Sequence, residues 1–127
     1  MIAYKVVGIE CSLGQQHTSC YANRDSWVIY RTDKYSKAPL WLRKVGYHLF
    51  AFDTKQNAEK FCDRHKGYVG GVWECDVLYP ILPVPKIILV ASFLDKKKLL
   101  SRINDWSRVP APIGTIMAKQ IKLLNKV

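Results

Sequence analysis

The sequence lacks a long apolar run and an N-terminal leader pattern. Its longest apolar run, residues 87–94, falls well short of the ~20 residues that a membrane-spanning helix needs. Residues 1–10 contain no basic segment followed by an apolar one, which argues against a secretory signal. We therefore expect a cytosolic protein that makes no contact with a membrane.

Motifs of known catalytic chemistry are also missing. Residues 67–71, GYVGG, lack the Lys-Ser/Thr pair and the following helix of a phosphate-binding loop. Glu74 and Asp76 share one face of a predicted strand and could transfer protons or bind a cation. Carboxylates in such positions more often form the solvated face of a strand. We expect no enzymatic activity and no cofactor.

Cysteine is sparse and unpaired. None of the four cysteines forms a C-x-x-C pair, and a cytosolic setting disfavours disulfides. Cys62, His65 and Cys75 could join a zinc site only if a distant residue supplied a fourth ligand. We favour cysteines that act as small buried apolar side chains, and we expect no metal site.

The apolar pattern predicts an α+β protein. Alternation predicts strands at residues 3–10, 48–52, 70–79 and 115–127, with a further strand in the second half of residues 20–31. The 70–79 strand should bury one face, formed by Trp73, Cys75, Val77 and Tyr79. Residues 12–19 are typical of a polar turn. Residues 80–86 contain three prolines and should form a rigid link rather than pair with a central strand.

Three helices are predicted between these strands. Pro39 can begin a short one with Gly46 as its C-terminal cap. A longer one should begin after a cap at Asp53 or Thr54, end at Gly67, and face the sheet with Ala58, Phe61 and Cys62. A third should run from about residue 92 to 103. The expected architecture is one α+β domain over residues 1–127, a mainly antiparallel sheet with two main helices packed on it.

The charge balance is the first indication of function. Lysine and arginine number 20 against 10 acidic residues, which gives a net charge of +10. A small domain this basic tends to meet an anionic partner, although a basic surface can also serve solubility alone. The basic residues are scattered, and the longest run is residues 96–98.

Arginine and aromatic residues occur together in two connecting segments. Arginine binds phosphate groups in a forked geometry, aromatic rings stack on bases, and asparagine can recognise an adenine edge. The predicted ligand-binding residues are Arg31, Trp41, Arg43, Arg102, Asn104, Trp106 and Arg108. The alternative is that the aromatic residues belong to the core and the cations to its solvated rim.

Four stretches carry a resemblance to a known family. They are YKVV near the N-terminus, LFAFDT with the following NAEKF, VWECDV, and APIGTIMAKQIKLL near the C-terminus. In this arrangement the chain resembles the Thoeris anti-defence proteins of phages, which sequester cyclic ADP-ribose-type immune signals. Some members also bind cyclic oligonucleotides. The resemblance implies a homo-oligomer in the cytoplasm of an infected bacterium, with ligands held between protomers without turnover.

These observations favour a non-enzymatic binder that sequesters an anionic cyclic nucleotide. Two other classes remain open: an RNA- or DNA-binding module that uses the same basic surface, and an inhibitor that docks on an acidic protein partner. A sequestering protein needs a pocket with a few fixed cations. A nucleic-acid binder needs a continuous basic stripe and shows a steep dependence on salt.

Overall fold

Antiparallel β-strand is the main secondary structure of the computed structural model, which describes residues 1–10, 16–19, 28–64, 69–88, 97 and 108–127. The strands are β1 (Ile2–Glu10), β2 (Gln16–Ser19), β3 (Leu49–Phe52), β4 (Val69–Ile81), β5 (Ile87–Ile88), β6 (Arg108–Val109) and β7 (Thr115–Lys126). The named helices are α1 (Leu40–Arg43) and α2 (Lys55–Arg64), of which only α2 is longer than about one turn.

Four strands close into a small barrel. β3 pairs with β7, β7 with β4, and β4 with β1, all antiparallel. The ring closes where Tyr4 of β1 pairs with Phe52 of β3. β2 adds a hairpin partner to the end of β1, and β5 and β6 form a separate two-stranded ribbon. The protein is thus a small single domain, mostly antiparallel β, with two short helices, which confirms the expected mainly antiparallel pairing.

Small and branched side chains fill the barrel. A barrel of so few strands has a narrow interior, and Ala3, Ala51 and Ala118 suit it because they let opposite walls approach. The remaining buried side chains of this interior cluster are Val7, Val28, Tyr30, Ala38, Leu49, Cys75, Val77, Ile121 and Leu123. Burial raises the pKa of the Cys75 thiol to about 11, so Cys75 is neutral at pH 7 and packs as an apolar residue.

Helix α2 covers one outer face of the barrel. Strands β1, β3 and β4 turn Val6, Phe52 and Val72 outward, and the predicted stripe of Ala58, Phe61 and Cys62 packs on them. The predicted cap is confirmed, since Thr54 Oγ1 accepts a hydrogen bond of 3.1 Å from the Asn57 N–H. The two cysteines Cys62 and Cys75 therefore lie in different clusters, one outside and one inside the barrel.

A turn that contains the predicted capping residue Gly46 terminates helix α1. The Tyr47 N–H bonds to the Leu42 carbonyl at 3.0 Å and the Gly46 N–H to the Arg43 carbonyl at 3.1 Å, which is the Schellman pattern. That pattern needs a residue with positive φ, and Gly46 has φ +88°. β3 follows directly after this turn.

Residues 28–36 complete the barrel wall where β3 is too short to do so. β3 covers only residues 115–118 of β7. Beyond them, the Leu123 N–H bonds to the Arg31 carbonyl at 2.8 Å, and Ser36 and Ile121 exchange two main-chain hydrogen bonds. Val28 and Tyr30 point into the core. The basic segment predicted from the sequence is therefore fixed along the edge of β7.

Two expectations for β4 are wrong. Tyr79 is 62% exposed rather than buried, because its φ of +56° interrupts the alternation of the strand. Pro80 and Ile81 still pair with Ala118 and Met117 of β7 instead of belonging to a link. Proline is tolerated there because the β1–β4 pairing has already ended at Asp76, so the other edge of β4 carries no ladder with β1.

Two further expectations concern the first half of the chain. Residues 16–19 form β2 rather than part of a turn, because their main chain pairs with β1 although their side chains are polar. Residues 28–31 form no strand of their own beyond an isolated bridge at Ile29. Of the predicted third helix only Lys97 is described, and it is helical. Gly67 and residues 20–27 lie outside the described residues. Of the two main helices expected, the described residues contain α2.

Candidate functional site

The segment that covers β7 also forms an open groove of about 400 Å³. Its lining residues are Val28, Ile29, Arg31, Lys34, Tyr35, Ser36, Lys37 and Pro39. Three of these side chains are cationic and one is aromatic. The groove is therefore an open basic surface that includes one phenol ring, a combination suited to a phosphate group next to a ring.

Tyr35 is held by a short hydrogen bond. Its hydroxyl donates to Asp76 Oδ2 at 2.5 Å, and Asp76 Oδ1 in turn accepts from the Met1 ammonium at 3.1 Å. The Tyr35 bond and the ammonium hold the pKa of Asp76 below its ordinary value, and the same bond raises the pKa of Tyr35. The carboxylate thus fixes the phenol ring against β4 and keeps the hydroxyl protonated at neutral pH.

A fourth cation stands over the Tyr35 ring. Lys122 of β7 places its Nζ 5.0 Å from the ring centroid, within the range of a cation–π contact. Arg31 is partly neutralised by Asp33, whose carboxylate lies 3.0 Å from its Nε. Lys34 and Lys37 are exposed, and neither has a carboxylate within 4.0 Å among the described residues. They are the cations most available to a ligand.

The predicted site residues are dispersed over the described fold. Arg31 lines the groove. Arg43 is half-buried, and its Nε donates to the Ala38 carbonyl at 2.9 Å, so part of its guanidinium holds the end of the 28–39 segment. Trp41 is half-buried on α1 and is not part of the groove lining. Arg108 lies in β6, and Arg102, Asn104 and Trp106 lie outside the described residues.

Sequence reasoning left out three members of the groove. Lys34, Tyr35 and Lys37 lie in the same basic aromatic segment as Arg31, but composition alone does not distinguish them from the other cations and rings there. Asp76 was treated as a solvated carboxylate of β4. Its neighbour Lys122 gave no signal, since only the pairing of distant strands brings it to Tyr35. The spacing of Arg31, Lys34 and Lys37, each three residues apart, is the one local sign of the groove.

Among the residues that the structure describes, three or more histidine, cysteine or acidic side chains never gather closely enough to hold a metal ion. In the same part of the chain, each helix is too short or too polar to cross a membrane.

The chain matches no protein-family model, no curated protein and no solved structure.

Proposed function

We propose that this protein is a non-enzymatic binder that sequesters an anionic cyclic nucleotide, with the groove over β7 as its phosphate contact. One observation carries the proposal: Arg31, Lys34 and Lys37 line the same groove as Tyr35. The resemblance to phage anti-defence proteins adds the class of ligand, a cyclic ADP-ribose-type immune signal, and the cytoplasm of an infected bacterium as its place of action.

The groove suits a small ligand better than a long polymer. Its volume lies near the lower end of the range of about 300 to 1,000 Å³ typical of small-molecule sites. Lys34 and Lys37 form no ion pair within 4.0 Å among the described residues, and Asp33 pairs with Arg31. Tyr35 supplies the aromatic ring of the groove, and Lys122 lies 5.0 Å from its centroid.

Titration calorimetry with cyclic ADP-ribose tests the groove. A charge-assisted contact contributes about 1.5 to 3 kcal/mol, so we expect Lys34→Ala/Lys37→Ala to weaken binding by roughly tenfold or more. The matched control, Lys55→Ala/Lys60→Ala, removes the same charge from the exposed face of α2 and should bind as the parent does. Equal affinity of both double variants would overturn the groove as the site.

A sequestering protein returns its ligand unchanged. After incubation with cyclic ADP-ribose and heat denaturation, chromatography should recover the intact nucleotide at every time point. A product that accumulates with time would mean that the protein is an enzyme.

The resemblance further supports a homo-oligomer with ligands between protomers. Native mass spectrometry after incubation with a panel of cyclic nucleotides reports the oligomeric state and the ligand mass together. We expect a multimer that retains whole ligands. A ligand-bound monomer would leave the groove as a site within one chain and remove the oligomer from the proposal.

A nucleic-acid-binding module is the second candidate, favoured by the net charge of +10. A protein that neutralises several phosphates of a polymer loses affinity steeply as salt rises, with a slope of about −0.7 per phosphate contact for single strands. Measurement of oligonucleotide binding over a salt series separates the two candidates. A steep slope together with no affinity for cyclic nucleotides would favour the module.

A further inference from the structure

His48 lies next to the start of β3, where the charges of Lys119 from β7 and Arg43 from α1 both act on its ring. Leu49 of β3 pairs with Ala118 of β7, so one step back along this antiparallel register His48 stands across from Lys119. Side chains that face each other across two antiparallel strands are direct neighbours. Arg43 is the last residue of α1, five residues before His48 in the chain, and its charge also acts on the His48 ring.

The Arg43 guanidinium is fixed but not saturated. Its Nε donates to the Ala38 carbonyl at 2.9 Å, which sets the direction of the side chain. Its two terminal nitrogens make no hydrogen bond to the described residues. A guanidinium held at one edge presents its other donors in a defined direction, which is how arginine recognises an oxyanion.

The His48 ring has one buried and one reachable nitrogen. Nδ1 is buried and has no hydrogen-bond partner in the described part of the chain. Nε2 is not buried in this way, so it is the ring nitrogen that a ligand can reach. Because a proton on Nδ1 would find no acceptor, the neutral ring favours the tautomer that carries its proton on Nε2. This N–H points a donor away from the core.

The charged groups that act on His48 among the described residues are all positive. Burial lowers the pKa of His48, and the charges of Lys119 and Arg43 lower it further. These two are the charged groups of the described residues that act on the ring, one from β7 and one from α1, and no carboxylate balances them there. Like charges that gather without a counter-charge are unfavourable, and a bound anion would relieve the repulsion.

We propose that His48, Arg43 and Lys119 form a binding site for a single oxyanion such as a phosphate or sulfate group. Arg43 would offer its terminal nitrogens, His48 its Nε2–H, and Lys119 a mobile ammonium. The proposal does not rest on the groove, because none of these three residues belongs to the groove lining. The oxyanion site would lie near the end of the 28–39 segment that forms the groove, where the Ala38 carbonyl accepts a hydrogen bond from Arg43.

Histidine NMR with sulfate as the probe tests this site. Sulfate keeps its charge across the pH range in which histidine titrates, so any change in the midpoint belongs to the protein. We expect sulfate in the tens of millimolar to raise the pKa of His48 by about one pH unit relative to chloride at equal ionic strength. The other two histidines serve as internal references, and His48→Gln assigns the signal.

Lys119→Gln separates a binding site from general screening. Lys119 is exposed, so the variant should fold like the parent, and loss of its charge should raise the pKa of His48 in chloride. It should also reduce the response to sulfate, whereas Lys60→Gln on α2 should leave it unchanged. A His48 midpoint that is the same in sulfate and chloride, or an undiminished response in Lys119→Gln, overturns the proposal.

Discussion

At the scale of single residues, Lys5 is the most unusual side chain of the barrel. It is 9% exposed and alternates with Ala3 and Val7 on the inward side of β1. Its ammonium donates to the Phe50 carbonyl at 2.6 Å and lies 4.8 Å from the centroid of the Tyr30 ring. A buried charge is costly unless polar groups replace water, and here one carbonyl and one aromatic face do so.

Two substitutions of Lys5 should separate the contribution of its charge to stability from the contribution of its side-chain volume. Lys5→Ala removes the donor to Phe50 and leaves a void, so we expect it to lower the free energy of unfolding by about 1 to 3 kcal/mol. Lys5→Met keeps the apolar stem and should cost less, since a buried charge can often be replaced by an apolar side chain of similar shape. Chemical denaturation measures both. Equal losses for the two variants would show that the hydrogen bond outweighs packing.

The Tyr35–Asp76 hydrogen bond should make stability depend on acid pH. The pKa of Asp76 is lower in the folded than in the unfolded state, chiefly because of Tyr35. Its contribution is therefore present above the ordinary aspartate pKa of about 3.9 and is lost as pH falls through the lower folded value. We expect Tyr35→Phe to be less stable than the parent at pH 7, with the difference shrinking below about pH 4. Urea denaturation over a pH series checks this, and a constant difference would contradict it.

At the scale of the elements, α2 owes its place to a narrow apolar stripe. Phe61 contacts Phe52 with ring centroids 5.4 Å apart and the two rings tilted by 42°. The sequence predicted that Phe61 and Trp73 belong to the core, and the structure has both half-buried against it. Because both side chains are only partly buried, we expect their truncation to lower the free energy of unfolding by less than the loss of a fully buried side chain would.

Truncation of Phe61 measures how strongly α2 holds the barrel. We expect Phe61→Ala to lower the free energy of unfolding by roughly 2 to 3 kcal/mol, below the 3 to 5 kcal/mol of a fully buried phenylalanine. Lys60→Ala, on the exposed side of the same helix, is the control and should change stability little. Thermal denaturation compares the two. A melting temperature of Phe61→Ala equal to that of the control would mean that the stripe adds no stability.

The β4–β7 pair shows where local reasoning about an element fails. Alternation places Cys75 and Val77 inward as predicted, but the next inward position on that pattern, Tyr79, is exposed. On β7, Ala118 and Ile121 are both buried although they are three residues apart. Both departures occur where the two strands pair, around Tyr79. A left-handed residue within a strand is set by tertiary context and has no signature in hydrophobic periodicity.

At the scale of the molecule, the strands were predictable and their closure was not. β1, β3, β4 and β7 each carry apolar alternation or a short apolar run, and α1 and α2 carry capping signals. The pairing of β1 with β4, one of the four pairings that make up the ring, joins residues about 70 positions apart in the chain. Pairing between strands that are distant in the chain depends on how their apolar faces pack together in the folded protein. Short patterns within one sequence do not show which strands will pair.

The candidate site, like the fold, was predictable from the sequence only in part. The basic aromatic segment was identifiable from composition, and Arg31 lies in the groove that it forms. Asp76 and Lys122 join Tyr35 only through the β4–β7 ladder. His48 carries no sequence signal of a site, because the two cations that act on its ring come from α1 and β7. Residues that a site gathers from several strands become visible only with the fold.

The position of β7 between β3 and β4 bears on the order of folding. β4 can pair with β1 as soon as both exist, but its second edge has no strand until residues 115–126 arrive, more than 30 positions later. Until then the nascent chain presents an unpaired β4 edge to the crowded cell. Such edges are templates for intermolecular pairing, and long-range strand pairing is slow. A ribosome-bound chain stopped before residue 115 should therefore recruit chaperones, whereas a chain extended past residue 126 should release them.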